Sequence, residues 1–379
     1  MQATLALLSA AAVESYVDPN TGEPAHVFVD ALVYPICFNA RHFIELFLKD
    51  SIRGASSLGT NATEVGVIRF HDLTKLWSMF ATAIACDSRL VELGMPLEEV
   101  FKDIAAVDND SMTFRYPHDL EENVHLSEFE HISLSVLGDR LREMFKQAEE
   151  FSLCLTLLHH EYAQNTFTDK LHRENIGAIA RRLPPYEKWT EEFKPVKKEI
   201  CDQLGLSSND FGRALELIKH HREFAALIGL ELPLEGLPVD VFARLGRVHA
   251  GEAAHESITR DEWLRLDAVM EISRLNSYSE EYDSYLTHIS DPDSDYRFDP
   301  EHLARNAYAR NQRLREGLVK LGQRTLLAAL AQAIPHLAEP MKIPPKRTDE
   351  EYAALVASTF GRLMSSRANS GDVKDDEPS

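Results

Sequence analysis

The amino-acid sequence predicts a mainly α-helical protein, and three observations support this fold class. Residues 34–49 are apolar around most of a helical wheel. Apolar residues over 134–162 recur at alternating three- and four-residue intervals. In the second half, stretches that contain proline or glycine separate further segments of helical character. These patterns together predict a helical bundle followed by a second helical region.

The apolar pattern over residues 34–49 predicts a buried helix that carries one charged strip. Apolar side chains cover all but one quadrant of this helix, namely Ala40, Phe43, Ile44, Leu46, Phe47 and Leu48. The remaining quadrant holds Arg41, Glu45 and Lys49 at four-residue intervals, with His42 beside them. Because a helix that is apolar on most sides is normally buried, the strip must meet an internal partner or line a cleft.

Turns and helices alternate through the rest of the first half. Residues 25–33 fit either a short strand or the entry to the helix over 34–49, in whose first turn Pro35 needs no N–H. The other predicted elements are a loop over 53–64, a helix from His71 to about Arg89 with Asp72 in its first turn, a short helix over 96–107, a turn and extended segment over 108–117, and a long helix from about Ser127, where Ser127 and Glu130 form a capping box.

The long helix carries an apolar seam of about four heptads. Its members are Leu134, Leu137, Leu141, Met144, Ala148, Phe151, Leu155, Leu158 and Tyr162. A seam of this length needs a long partner helix, either within the chain or in a second copy of the chain. The sequence therefore leaves open a homodimer, or another protein partner, along 134–162.

The second half predicts further helices and a polar tail. The predicted helices lie near 170–182, 187–203, 211–228, 239–254, 260–288 and 301–333. Residues from Ser365 onward have no apolar face, so we expect them to be disordered. The predicted organisation is a helical domain over 1–168, a C-terminal helical region over 169–345, and a tail over 346–379.

Charge and composition narrow the possible classes of protein. A formal net charge of −21 argues against nucleic-acid binding over the whole surface, although a local basic patch is compatible with it. No apolar run approaches the ~20 residues that span a bilayer, so we expect no membrane association. The cysteines Cys37, Cys86, Cys154 and Cys201 are far apart, and this spacing predicts reduced thiols in a cytoplasmic protein. The sequence lacks the usual nucleotide, dinucleotide, hydrolase and metalloprotease motifs, and we expect no cofactor.

Several short motifs together resemble a known domain. The first helix carries Arg-His-x-x-Glu-x-x-x-Lys, and it is followed by His71-Asp72-Leu73 with Trp77, and then by Phe114-Arg115-Tyr116-Pro117 after an Asp-rich turn. Over about residues 25–165 this combination resembles the HEPN-like all-helical domains of bacterial proteins, several of which are associated with phage defence and toxin–antitoxin modules. The resemblance implies a helical bundle and a role in antiviral defence.

The resemblance also implies a possible ribonuclease. The better-known HEPN members cleave RNA with an Arg and a His separated by four to six residues. The sequence has three such spacings, Arg213–His220, Arg244–His249 and Arg297–His302, and all of them lie outside the resembling region. The Arg and His content predicts about three by chance. Arg244 and His249 therefore form only a weaker candidate pair.

The polar quadrant of the first helix has two interpretations. In the functional one, His42 or His71 acts as acid or base beside arginines that bind phosphate. In the structural one, Arg41, Glu45 and Lys49 form a buried ion-pair network that fixes how two helices pack. Arg115 could reach this site from an extended loop, or its aromatic neighbours could form a rigid corner of the core.

A basic strip on the predicted helix over 301–333 is the second candidate site. Arg310, Arg313, Lys320 and Arg324 fall within an ~80° sector of a helical wheel. Such a strip could contact RNA phosphates or an acidic protein, or neutralise acidic groups of the same protein. The adjacent pairs His159–His160 and His220–His221 point in different directions on a helix, so we expect no metal site.

Three functions follow from these observations. The first is a HEPN-like component of a phage-defence or toxin-type system that acts by protein or RNA contact without catalysis. The second is a metal-independent ribonuclease that uses Arg and His. The third is a non-catalytic adaptor that dimerises along 134–162.

Overall fold

A computed structural model describes residues 1–11, 16–17, 24–25, 29–59, 62–109, 111, 133–274, 277–309 and 311–334. The predicted mainly helical architecture is confirmed. Within these ranges the β structure is one short antiparallel pair, β1 (Tyr16–Val17) with β2 (Pro24–Ala25). None of the described helices combines the length and apolar composition that crossing a membrane requires. The predicted tail over 346–379 lies outside the described residues.

The first half of the chain forms helices α1 to α6. They are α1 (Gln2–Ala11), α2 (Val29–Ser56), α3 (Leu73–Ile84), α4 (Ser88–Gly94), α5 (Glu98–Val107) and α6 (Leu134–Tyr162). Between α4 and α5 the chain makes a single 3₁₀ turn, Met95–Leu97. The predicted short helix over 96–107 thus corresponds to this turn and α5.

Helix α2 extends beyond the predicted 34–49 at both ends. The prediction that Pro35 lies in the first turn is wrong, because α2 begins at Val29 and Pro35 lies inside it. A proline inside a helix removes one backbone hydrogen bond. Packing maintains the helix despite this loss, since Ile36, Ile44 and Leu48 are fully buried.

The predicted helix from His71 to Arg89 is instead two helices, α3 and α4. Asp72 is the N-cap of α3, and its carboxylate accepts a hydrogen bond from the backbone N–H of Lys75 at 2.9 Å. Asp87 has an extended backbone and caps α4 by accepting from the N–H of Arg89 at 2.9 Å. An aspartate that binds backbone N–H groups favours the start of a helix. Asp87 therefore begins a new helix where the apolar pattern predicted a continuous one.

Helix α6 starts later than predicted and packs within the chain. Ser133 is its N-cap with extended backbone, so the predicted start near Ser127 is wrong; Ser127 and Glu130 lie outside the described residues. The seam faces inward, and Phe151 is fully buried with its ring centroid 5.4 Å from that of Phe47 on α2 and 5.3 Å from that of Phe80 on α3. The partner of the seam therefore lies within the chain.

The second half contains ten helices in its described part. They are α7 (Arg173–Arg182), α8 (Trp189–Leu204), α9 (Ser208–His220), α10 (Arg222–Leu227), α11 (Val241–His249), α12 (Arg260–Ile272), α13 (Glu281–Ser290), α14 (Pro300–Ala309), α15 (Asn311–Lys320) and α16 (Arg324–Ala333). The predicted helices over 211–228 and 260–288 are each two helices, because His221 caps α10 and a turn separates α12 from α13.

The predicted helix over 301–333 is wrong in a way that affects a candidate site. Its described parts are α14, α15 and α16, and the helix breaks between α15 and α16, where Gly322 has φ +69°. A side chain at Gly322 would come within 2.6 Å of the Ala226 side chain and of the Arg222 carbonyl. Glycine is needed here both for this backbone conformation and for the close approach to α10.

The buried apolar side chains form three separate clusters. The N-terminal cluster draws its buried members from residues between Leu8 and Leu158, on α1 to α6. The middle cluster lies between Leu171 and Ile228, and the C-terminal cluster between Leu234 and Ile334. We call the helices around each cluster the N-terminal, middle and C-terminal units. The candidate site on α2 belongs to the N-terminal unit.

Candidate functional site

Three segments of the N-terminal unit bring the polar quadrant of α2 together with its partners. Helix α2 supplies Arg41, Glu45 and Lys49, which lie one above another because they are four residues apart. The segment before α3 supplies His71, and the turn after α5 supplies backbone carbonyls. Asn109 fastens this turn to α3, because its side-chain oxygen accepts from the N–H and the hydroxyl of Thr74, both at 3.0 Å.

Arg41 is fully buried, and every nitrogen of its guanidinium is bonded within the chain. Nη1 donates to the Glu45 carboxylate, and Nη2 donates to the carbonyls of His71 and Asn109, the latter at 3.0 Å. Nε donates to the Asp108 carbonyl at 3.3 Å, and the Asp108 carboxylate lies 4.0 Å away. The guanidinium therefore links α2 to two loops, and none of its N–H groups faces solvent.

Glu45 is the centre of the network. Its Oε1 atom accepts from Lys49 Nζ and lies next to His71 Nδ1, both at 2.8 Å, while Oε2 binds Arg41. Burial acts to raise the pKa of Glu45, but the hydrogen bonds from Lys49, Arg41 and His71 outweigh it and lower the pKa to about 2. Glu45 is therefore a buried anion that its neighbours keep charged.

His71 is the exposed end of the network. Its backbone carbonyl binds Arg41 and its Nδ1 contacts Glu45, yet 55% of its side chain is exposed. Lys49, by comparison, is 14% exposed. The contact with Glu45 orients the imidazole, as a carboxylate does for a histidine that transfers protons.

Of the other candidates on the first half of the chain, the structure describes His42 and places it outside this network. His42 is half-buried and stacks on Phe38 with the ring centroids 6.1 Å apart. Its Nδ1 is buried, and no described residue hydrogen-bonds to it. Arg115 and the rest of Phe114-Arg-Tyr-Pro117 lie outside the described residues.

Arg244 and His249, the weaker candidate pair, do not form a common site. Both terminal nitrogens of Arg244 bind the Glu262 carboxylate, at 2.8 and 2.6 Å, and Nη1 also donates to the Ser257 carbonyl at 2.7 Å. His249 is exposed at the last residue of α11. Arg244 thus holds the N-terminal turn of α12, where Glu262 completes a capping box with Thr259.

The predicted basic strip is not a strip on one helix. Arg310 lies outside the described residues, Arg313 and Lys320 lie on α15, and Arg324 lies on α16. Lys320 Nζ donates to the carbonyls of Ile272, Arg274 and Ser277 at the end of α12, and burial lowers the pKa of Lys320. Arg324 donates to the Ala226 carbonyl of α10. Two of the four cations are therefore engaged with carbonyl groups at helix ends.

Two further polar networks are not predicted by any pattern in the sequence. Arg89 binds Asp87 and Glu161, each at 2.8 Å, and Tyr162 donates to Asp87 at 3.0 Å. The other network connects the middle and C-terminal units, and its members are Arg173, His221, Glu223, Ser279 and Glu280. No local pattern marks either network, because the partners are up to 107 residues apart.

The Ser279–His221–Glu280 contacts do not form a nucleophilic triad. Ser279 Oγ lies 3.4 Å from His221 Nε2, but Glu280 contacts the same Nε2 atom at 2.9 Å. His221 Nδ1 accepts from the N–H of Phe224 at 3.3 Å, whereas a triad needs the acid at this second nitrogen. Ser279 is also buried, with 2% exposure. Among the described residues no group of three or more His, Cys, Asp or Glu could hold a metal ion.

Comparison of the chain with protein-family models, with curated proteins and with solved structures finds no match. The resemblance to HEPN-like domains over 25–165 therefore stays a prediction from the sequence. For the function of residues 25–165 we therefore rely on the geometry of the network on α2. That geometry favours the ion-pair interpretation for Arg41, Glu45 and Lys49, and it leaves His71 as the one exposed member.

Proposed function

We propose that the chain is a helical component, HEPN-like over its N-terminal 168 residues, of a bacterial phage-defence or toxin-type system, and that it acts by contacting another protein without catalysis. The supporting observation is the complete burial of Arg41, whose guanidinium nitrogens are all bonded to Glu45 and to loop carbonyls. An arginine held in this way cannot bind a phosphate unless the loops separate from α2.

We prefer contact with a protein to contact with RNA because the predicted basic strip does not present its cations in one accessible row. RNA binding needs a row of cations that can approach phosphates, but Lys320 is bonded to carbonyls at and just beyond the end of α12. Arg324 is exposed, but it lies on a different helix and donates to the Ala226 carbonyl. A homodimer along the α6 seam is a weaker proposal, since Leu141, Met144 and Phe151 are buried against other helices of the same chain. We expect the chain to be cytoplasmic.

The test combines a phage challenge with a binding measurement. The chain is expressed in a bacterial host together with the products of its neighbouring genes, and its complexes are isolated and sized by light scattering. We expect a complex of fixed stoichiometry with one of these products, intact total RNA, and full protection with His71→Ala. Loss of protection with His71→Ala, but not with His220→Ala, would contradict a non-catalytic role. His220 is a suitable control because 76% of its side chain is exposed and it lies in the middle unit.

A second candidate function, a metal-independent ribonuclease, is favoured by the Glu45–His71 contact. A buried carboxylate 2.8 Å from Nδ1 orients an imidazole that is 55% exposed, and Lys49 supplies a neighbouring positive charge. In this proposal His71 removes the proton from a 2′-hydroxyl, and a cation stabilises the charge that develops on the phosphate.

The second candidate is tested with the purified chain and single-stranded RNA in EDTA. It predicts cleavage that falls by a factor of about 10² to 10⁴ in His71→Ala, the usual contribution of a general base. His220→Ala should cleave at the rate of the unchanged chain. Absence of any cleavage by the folded chain, alone and with its partner, would remove this candidate and leave the first.

A further inference from the structure

The N-terminal unit meets the rest of the described chain near the end of α6 through a set of polar contacts and one edge-to-face ring contact, between His160 and Tyr278 with the centroids 5.2 Å apart. His160 Nε2 lies 2.6 Å from Glu281 Oε1, and Gln164 donates to the same oxygen at 3.4 Å. Thr166 Oγ1 donates to Glu280 Oε1 at 2.6 Å. A fourth contact, between Arg89 Nη1 and a Glu174 oxygen, is 3.8 Å long. We call these four contacts the clasp.

The clasp is only partly accessible to solvent, because Thr166 is buried and the side chain of Glu280 is 17% exposed. The side chains of His160 and Glu281 are 46% and 23% exposed, and Glu174 is 34% exposed. Exposed ion pairs shift an equilibrium by a factor of about five or less, and salt screens them. The apolar clusters of the N-terminal unit and of the other two units share no residue, so none of the three cores extends across this junction.

The junction between the middle and C-terminal units is different. Arg173 pairs with Glu280 at 3.0 Å, and their side chains are only 12% and 17% exposed. The Arg173 guanidinium also lies 5.0 Å from the ring centre of Phe224 and 4.8 Å from that of Tyr278. Gly322 packs directly on α10, where a Cβ atom would not fit. These two units are therefore in close contact and form one body.

The link between α6 and α7 contains an unusual backbone conformation. Asn165 has φ +58°, in the left-handed region that few residues other than glycine adopt. It follows the turn that ends α6, and Lys170 in the same link pairs at its exposed surface with Asp210. Phe167 of the link packs on Tyr162 at the end of α6, with the ring centroids 5.0 Å apart, so the link is anchored on the N-terminal unit at this point.

We propose that the N-terminal unit and the joined middle and C-terminal units are two rigid bodies that open by rotation about residues 163–170. The clasp holds the closed form, and two of its contacts come from Gln164 and Thr166 of this link. Joined domains with a small polar interface are expected to move relative to each other. The closed form depends on Glu281 and Thr166, whereas Glu280 is also held by Arg173 and His221 from the middle unit. This inference does not depend on the proposed function.

The experiment uses the full chain in 20 mM and 500 mM NaCl, with trypsin cleavage after Lys170 and small-angle X-ray scattering as the two measurements. The clasp variant is Thr166→Val with Glu281→Gln. The matched control is Asp283→Asn, which lies on the same helix but pairs with Arg222 of the middle unit. A circular dichroism spectrum identifies a variant that has not folded, and the salt comparison on the unchanged chain then decides alone.

We expect the unchanged chain to be cleaved about fivefold faster at high salt, and the clasp variant to reach that rate at low salt. The largest interatomic distance from scattering should increase in the same samples, and Asp283→Asn should behave like the unchanged chain. Faster cleavage with unchanged scattering would mean that only the link loosens, and this outcome would overturn the proposal. Identical rates and scattering at both salt concentrations would overturn it as well.

Discussion

Arg41 and Lys49 on α2 bind a buried carboxylate, and Arg41 also binds three loop carbonyls. Lys320 on α15 and Arg324 on α16 bind only backbone carbonyls among the described residues. Both groups form charged strips on a helical wheel. In the first group Glu45 pairs with both cations of its own helix, and the Asp108 carboxylate from the turn after α5 lies 4.0 Å from Arg41. In the second group each cation stabilises the end or the packing of a different helix. Neither group presents a row of accessible positive charges, which is what phosphate binding requires.

The largest effect should come from removing Arg41. Replacement of Arg41 by Met leaves Glu45 with less compensation for its burial and leaves the carbonyls of Asp108 and Asn109 without this donor. We expect the free energy of unfolding to fall by about 3–5 kcal/mol, as when one partner of a buried ion pair is removed. Urea denaturation measures this change. Arg53→Met is the control on the same helix, because Arg53 is 54% exposed and should change stability by less than about 0.5 kcal/mol.

Glu45 should make the stability of the chain depend on acid. Its pKa in the folded chain is about 2, below the ordinary 4.5, so its contribution is complete above pH 4.5 and is lost as the pH falls toward 2. Glu45→Gln should lose about 2–3 kcal/mol at pH 7, and its stability should approach that of the unchanged chain in acid. Urea denaturation between pH 7 and 2.5 tests this prediction. Parallel curves over the whole range would contradict the assigned pKa.

Lys320→Met tests the second group of cations, which bind backbone carbonyls. The substitution leaves the carbonyls of Ile272, Arg274 and Ser277 without the ammonium donor, and we expect a loss of about 1–2 kcal/mol. Arg305→Met on the neighbouring α14 is the control, because Arg305 is exposed. Lys320 would be a nucleic-acid ligand instead if Lys320→Met weakened RNA binding and left the unfolding free energy unchanged.

The smallest effect should come from His71→Ala. Its ring makes one hydrogen bond to Glu45 and is mostly exposed, so we expect a loss of about 0.5–1 kcal/mol. A loss as large as that of Arg41→Met would mean that the His71 ring, and not only its carbonyl, holds the loop against α2. Thermal unfolding followed by circular dichroism distinguishes these two results.

Some features of the fold follow from local pattern and others do not. The positions of most helices could be predicted, because apolar spacing and capping residues act over one or two turns. The breaks at Asp87, His221 and Gly322 could not be predicted as easily. Asp87 and His221 become caps because they bind N–H groups, and Gly322 ends α15 because α10 lies against it. In each case the apolar pattern continues across the break.

The sequence by itself determined that most of α2 would be buried, although Leu46 is exposed. It also determined that Arg41, Glu45 and Lys49 would share one face, because the helical period places residues four apart above each other. Only the tertiary structure decided what this face meets. The carbonyls that bind Arg41 come from His71, Asp108 and Asn109, which are 30, 67 and 68 residues away. No periodicity within α2 relates these positions, since they depend on how α3 and α5 pack against it. That packing is the physical reason why a strip of charges on α2 became an internal network.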